Sequence, residues 1–191
     1  MEKERVNRAV DIERTTFHPP YMIPVASRLD NETGVPVSLR RATRPDAAIL
    51  ARLRHEFRAP RGANAESEQA FLRRCEAWMR ERLADDSPWR VWIAEADGDA
   101  VGAVWLQVVE KLPNPVAESE WHGYVSNLFV RDSARNRGAG SLLLQAALDE
   151  CARLDCDNVF LWPTPRSRSL YGRHGFEAAD NMLVLRLAAR S

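Results

Sequence analysis

Arg135, Gly138 and Gly140 lie between an apolar run and a long helical run, and residues of these types at this spacing can hold an anion. Upstream, residues 124–130 are apolar and rich in strand formers. Downstream, Ser141 opens a stretch with Leu142, Leu143, Leu144, Ala146, Ala147 and Leu148, a helical composition. The first N–H groups of a helix have no partner inside it, and the helix dipole is positive there. Glycines let the main chain come close to a bound group. A dinucleotide fingerprint needs a third glycine where Leu143 stands. A P-loop needs Lys and then Ser or Thr where Ser141 and Leu142 stand. The candidate anion loop is therefore Arg135, Asn136, Arg137, Gly138, Ala139, Gly140 and Ser141.

The rest of the chain must position that loop. Residues 37–42 alternate as a short strand, and Thr43-Arg44-Pro45-Asp46 starts a helix carrying Ile49, Leu50, Leu53 and Phe57. Residues 66–83 repeat apolar side chains at helical spacing. Residues 89–96 and 100–110 read as strands joined at Asp97-Gly98-Asp99. Residues 111–123 read as a loop long enough to line a substrate mouth. After the long helix, residues 157–162 read as a strand ended by Pro163, and residues 182–187 as a final strand. The expected organisation is an N-terminal arm at residues 1–36 and one α/β domain at residues 37–191.

Composition narrows the function. Lys plus Arg and Asp plus Glu number 27 each, so the formal net charge is zero, which argues against a nucleic-acid-binding surface. No apolar run approaches a membrane span, and the N-terminus lacks an apolar signal core. A cytoplasmic location is expected. Cys75, Cys151 and Cys156 show no C-x-x-C spacing, and the four histidines form no metal-ligand pattern, so no metal is expected.

Arg135-x-x-Gly138-x-Gly140, followed after an intervening strand by Leu170-Tyr171-x-x-x-Gly175-Phe176, resembles the GNAT superfamily of N-acetyltransferases. The likeness runs from about Val37 to Leu187. It implies a mixed, mainly antiparallel twisted sheet flanked by helices, with two central strands splayed apart. It implies acetyl-CoA as acyl donor, its pyrophosphate on the Arg135–Ser141 loop. Main-chain N–H groups of Leu128, Phe129 and Val130 would then bind the pantetheine and polarise the thioester carbonyl. The resemblance puts the Tyr171 hydroxyl near the cofactor sulfur as general acid. A thiol near pKa ~8.5 and a tyrosine near ~10 exchange a proton at little cost. Thr164 and Ser167 occupy positions of weak cofactor contacts.

The base stays open among Glu110 at a strand end and Glu120 or His122 in the mouth loop, with Asn127 able to orient a water. Glu56 on the first helix, beside Arg54 and His55, is a further candidate for substrate contact, against a solvated helix face. No cysteine sits in the inferred cleft, so direct attack in a ternary complex is expected rather than an acyl-enzyme. The expected acceptor is a small-molecule amine. A peptide or protein amine, and a non-catalytic acyl-CoA-binding or sensing module, are the alternatives. Homodimers are common among proteins of this kind.

Overall fold

The computed structural model describes residues 36–62 and 65–187. The expected arm lies, except for Pro36, outside them. The strands are β1 (Ser38–Arg41), β2 (Trp89–Ala96), β3 (Asp99–Glu110), β4 (Trp121–Val130) and β5 (Asn158–Phe160). The helices are α1 (Ala47–Arg58), α2 (Glu68–Arg82), α3 (Ala139–Arg153) and α4 (Arg168–Arg173). One sheet runs in the order β1-β2-β3-β4-β5, antiparallel throughout except for parallel β4 and β5. This is the mixed, mainly antiparallel arrangement expected. Among the described residues no helix is long and apolar enough to cross a membrane.

Alternation along β3 sorts the core into two layers. Val104 and Leu106 point to the α3 face, where Leu143, Leu144, Ala147 and Cys151 are buried against them and Val125. Ala103 and Trp105 point to the other face and meet Leu50, Leu53 and Met79 of α1 and α2 with Val91 and Ile93. A fully buried leucine contributes about 1.5–3 kcal/mol of apolar transfer, and Leu143, Leu144, Leu50 and Leu53 each retain 1% exposure or less.

Local chemistry sets the element ends. Asp97 (φ 54°) and Gly98 (φ 79°) form the two-residue left-handed turn that matches strand twist between β2 and β3. Ahead of α1, the Asp46 carboxylate accepts from the Thr43 amide (2.8 Å) and from both ends of the Arg40 fork (2.7 and 2.9 Å). Arg40 also reaches Glu95 (2.7 Å), locking β1 and β2 to the helix entrance. Helix α3 ends in a Schellman turn: Asp155 is left-handed (φ 53°) and the Cys156 amide bonds the Cys151 carbonyl at 2.8 Å.

Three sequence expectations need correction. β4 begins at Trp121, so His122 belongs to the sheet rather than to the mouth loop, opposite Val109 and Asn158. Gly123 is inside the strand because there is no room for a side chain: an added Cβ would lie 2.5 Å from Cys151 Sγ. β5 stops at Phe160 instead of Trp162 because β4 turns away from it. Residues 182–187 form no strand, and Leu183 and Leu185 are 97% and 84% exposed. Strand propensity is realised only where an edge receives the segment, and β5 offers three residues of ladder.

Candidate active site

The site is organised by a bulge in β4. Ala103 pairs with Phe129 and Trp105 with Ser126, so β4 carries one residue more than β3 across this interval. The extra residue brings Asn127 to φ 52°, a left-handed conformation that asparagine tolerates better than most residues. Its Oδ1 accepts a 2.8 Å hydrogen bond from the Arg54 guanidinium on α1. The bulge bends β4 away from β5. Their parallel ladder runs from His122 opposite Asn158 to Tyr124 opposite Phe160 and ends there, while β4 continues to Val130. Main-chain groups of Leu128, Phe129 and Val130 therefore lie beyond the end of the β5 ladder.

The chain leaving β4 is held by side chains. Arg131 forms a fork on Glu56 of α1 (2.7 and 2.6 Å) and donates to the Ala100 carbonyl (2.8 Å). That pairing holds the Glu56 carboxyl below the ordinary glutamate range. The Arg135 side chain folds back onto the Val130 carbonyl (3.1 Å) and pairs with Asp132. Arg135 therefore shapes the loop, while Asn136, Arg137 and Gly138 are its exposed members. Asn136 (φ 62°) and Gly138 (φ 80°) are both left-handed, and Gly138 caps α3. Alternating backbone handedness of this kind turns successive N–H groups toward one concavity.

Ala139 is buried at the first turn, and Gly140 and Ser141 follow it. A Cβ on Gly138 would meet nothing within 4 Å, whereas one on Gly140 would lie 3.6 Å from Leu170 and 4.0 Å from Val130. The helix start, the end of β4 and α4 thus converge. Tyr171 packs on the same apolar cluster as Leu128 and Val130, edge-on to Phe176 (5.7 Å). Burial raises its hydroxyl pKa above the usual tyrosine value, with Ser167 opposing. Thr164 and Ser167 bond each other: Ser167 Oγ accepts from the Thr164 amide at 2.9 Å, and the two hydroxyls stand 2.9 Å apart. They form the turn that introduces α4.

The remaining candidates separate. Glu110 ends β3 opposite Trp121, at the other end of β4 from the bulge; six residues of strand at about 3.3 Å each put them roughly 20 Å apart. Glu120 is exposed in the loop before β4, and its carbonyl bonds the Lys111 amide. The structure brings neither to Asn127 or Tyr171. His122 is half-buried, and its Nδ1 has no hydrogen-bond partner in the structure. Cys151, buried against the sheet, has its thiol pushed up to about 12 by burial, which makes it no nucleophile. Among the described residues no group of three His, Cys, Asp or Glu could hold a metal.

Sequence reasoning missed an aromatic face. Ser126 stands opposite Trp105 and so shares its side of the sheet, as do Tyr124 and His122 at period two. Phe160 stacks on Tyr124 (5.3 Å, 17°), Trp162 meets both edge-on (5.0 and 5.8 Å), and His122 meets Phe160 at 6.5 Å. Alternating aromatics at 122, 124, 160 and 162 were the available signal; without the β4–β5 register nothing linked them.

The residues present fit an acyl-CoA donor: a glycine-capped helix start with open space above Gly138 lies beside a strand whose ladder has ended. Comparison with known proteins agrees. Residues 50–176 match the model of the acetyltransferase (GNAT) family. YhfO of Bacillus subtilis (strain 168), described as an uncharacterised N-acetyltransferase, is 30% identical over 149 residues, covering 74% of this chain and 90% of that protein. A GCN5-related N-acetyltransferase from Ralstonia eutropha JMP134 superposes with a TM-score of 0.65 at 27% identity, covering 79% of this chain and 99% of the other. A predicted acetyltransferase from Clostridium acetobutylicum, solved with acetyl-CoA, superposes at 0.67 with 18% identity, covering 79% and 96%.

Proposed function

This chain belongs to the GNAT family of acetyltransferases and is an acetyl-CoA-dependent N-acetyltransferase, and from that premise we propose a small-molecule amine as its acceptor, acetylated by direct attack in a ternary complex. The observation that carries the site assignment is the end of the β4–β5 ladder at Tyr124 and Phe160, next to the glycine-capped start of α3. The small acceptor is supported by the aromatic face and by the loop at residues 111–120. Lys111 pins that loop through Glu118 (3.3 Å) and Asp157 (2.9 Å). Trp162 is 58% exposed, so the aromatic surface is open to a ligand. Residues 37–191 are the catalytic domain in this reading.

Each group then has a task. Bound acetyl-CoA supplies the activated acetyl group. The N–H groups of Leu128 and Val130, on the edge of β4 away from β3, hold and polarise its carbonyl oxygen, while Phe129 between them pairs with Ala103. Asn136 to Ser141 hold the pyrophosphate through the main chain, Arg137 adds charge, and Arg135 keeps the loop in shape. The Tyr171 hydroxyl delivers a proton to the departing sulfur. Asn127 orients a water that takes the proton of the amine. Thr164 and Ser167 act by fixing α4.

The test is calorimetric titration with acetyl-CoA, followed by thiol-release assays against a panel of small amines and of peptides. Gly138→Glu is the control, since it sets a carboxylate where the phosphates bind. Binding lost in that variant, with turnover on small amines, supports the reading. Turnover on peptides alone moves the acceptor to a protein amine. Binding without turnover on either panel makes the chain an acyl-CoA-binding module. No binding by the wild-type chain removes the site assignment.

A further inference from the structure

A second concave surface lies at the opposite end of α3. Arg41 at the end of β1, Arg90 near the start of β2 and Arg153 in the last turn of α3 all face one carboxylate, Glu150, at 3.7, 3.4 and 2.8 Å. The Glu150 side chain is 12% exposed. These four residues line a cleft of about 660 Å³ together with Arg44 and Asp85. Four guanidiniums against two carboxylates leave an excess of two positive charges in one concavity.

The donors are held in place. Arg90 donates to the Trp89 carbonyl (3.0 Å) and to the Ser87 carbonyl. Arg41 lies over the Trp92 ring, 4.7 Å from its centre. Burial pulls the Arg41 pKa below its ordinary value; Glu150 opposes that shift, and Arg90 and Arg153 add smaller repulsive contributions. One carboxylate cannot occupy three planar forks, so donor capacity is left for another acceptor. The negative end of the α3 dipole opposes an anion here, but it amounts to about half a charge and the arginines outweigh it.

We propose that this arginine cleft binds a multiply charged oxyanion of the phosphate type, at a site separate from the acyl-donor site. Helix α3 is fifteen residues long, which puts roughly 20 Å between the cleft and the glycine loop. The shared chemistry is a tetrahedral, doubly charged group bound by guanidinium forks. Free inorganic phosphate and the phosphoryl group of a small metabolite both present it, and the cleft has room for the latter.

The experiment is calorimetry on the full chain saturated with acetyl-CoA, at fixed ionic strength set with chloride. One arm titrates inorganic phosphate and the other glycerol phosphate. The expected result is one-site binding of at least one probe, weakened about tenfold in Arg90→Gln and tightened several-fold in Glu150→Gln. The second sign is diagnostic, because Glu150 competes with the anion for the same forks, whereas a purely structural Glu150 would lower affinity when changed. Tighter binding of glycerol phosphate identifies a phosphorylated metabolite as the source, and equal or tighter binding of inorganic phosphate identifies the free ion. Arg44→Gln, at an exposed position, replaces Arg90→Gln if that variant does not fold, with a loss of a few-fold expected. Heats equal to the chloride blank, affinity unchanged in the arginine variant, or weaker binding by Glu150→Gln would each overturn the proposal.

Discussion

Replacing Asn127 separates the two tasks the bulge gives it. At φ 52° an alanine pays the left-handed penalty of about 1–2 kcal/mol, while glycine does not. Both lose the 2.8 Å hydrogen bond from Arg54. Hydrogen bonds to charged groups contribute ~1.5–3 kcal/mol, and partial solvent access argues for the low end. Asn127→Ala is therefore expected to lose about 2–4 kcal/mol and Asn127→Gly about 1 kcal/mol less. Urea unfolding followed by circular dichroism measures both. An Arg54→Met background completes a double-mutant cycle, with a coupling of about 1–2 kcal/mol expected for the Asn127–Arg54 pair. Because glycine preserves the bulge, Asn127→Gly is expected to bind acetyl-CoA like the parent, whereas Asn127→Ala binds more weakly. Equal stability of the two variants, or no coupling to Arg54, would refute the view that a strained, side-chain-tied bulge sets the strand divergence.

Three other outcomes follow from the same structure. Tyr171→Phe is expected to lower kcat about 100-fold while leaving acetyl-CoA affinity within about twofold, as steady-state kinetics and calorimetry would report. Asp46 is held down to about 2 by Arg40 and the Thr43 cap, against an ordinary 3.8, so its contribution is complete above pH 4 and disappears as pH falls toward 2. The shift corresponds to about 2 kcal/mol, and urea midpoints measured from pH 5 to pH 2 should flatten in Asp46→Asn. Gly123→Ala is expected to cost about 1–3 kcal/mol because its Cβ would meet Cys151 Sγ at 2.5 Å; Cys151→Ala in the same chain should return most of that loss, and strict additivity in thermal melts would contradict the packing account.

The parts legible in the sequence were those whose cause is local. Gly138 stood out because a glycine lets the main chain approach a bound group, and the chain does turn left-handed there; Tyr171 stood out through the resemblance carried by Leu170-Tyr171-x-x-x-Gly175-Phe176, a stretch that the Phe176 amide closes onto the Tyr171 carbonyl. The parts that were not legible depend on contacts across the chain. Gly123 reads as punctuation between loop and strand, but it is a spacer demanded by Cys151 on α3, and that moved His122 into the sheet. Arg54 and Asn127 meet across 73 positions, and Glu56 and Arg131 across 75, which no periodicity encodes. An asparagine in the middle of an apolar strand was the visible trace of the bulge. The segment at residues 182–187 shows the reverse case: strand composition is evident there, but the edge strand β5 is only three residues long.

The order of strands across the sheet is also their order along the chain, and this matters during synthesis. Each strand leaving the ribosome finds the neighbour on its N-terminal side already made, and domains form from the N-terminal side as the chain grows. The antiparallel strands β1 to β4, with α1 and α2, have been translated before the glycine loop appears. Helix α3 then covers the bare side, and β5 and α4, which complete the cleft, come last. The nascent protein thus acquires the larger part of its scaffold before its active site.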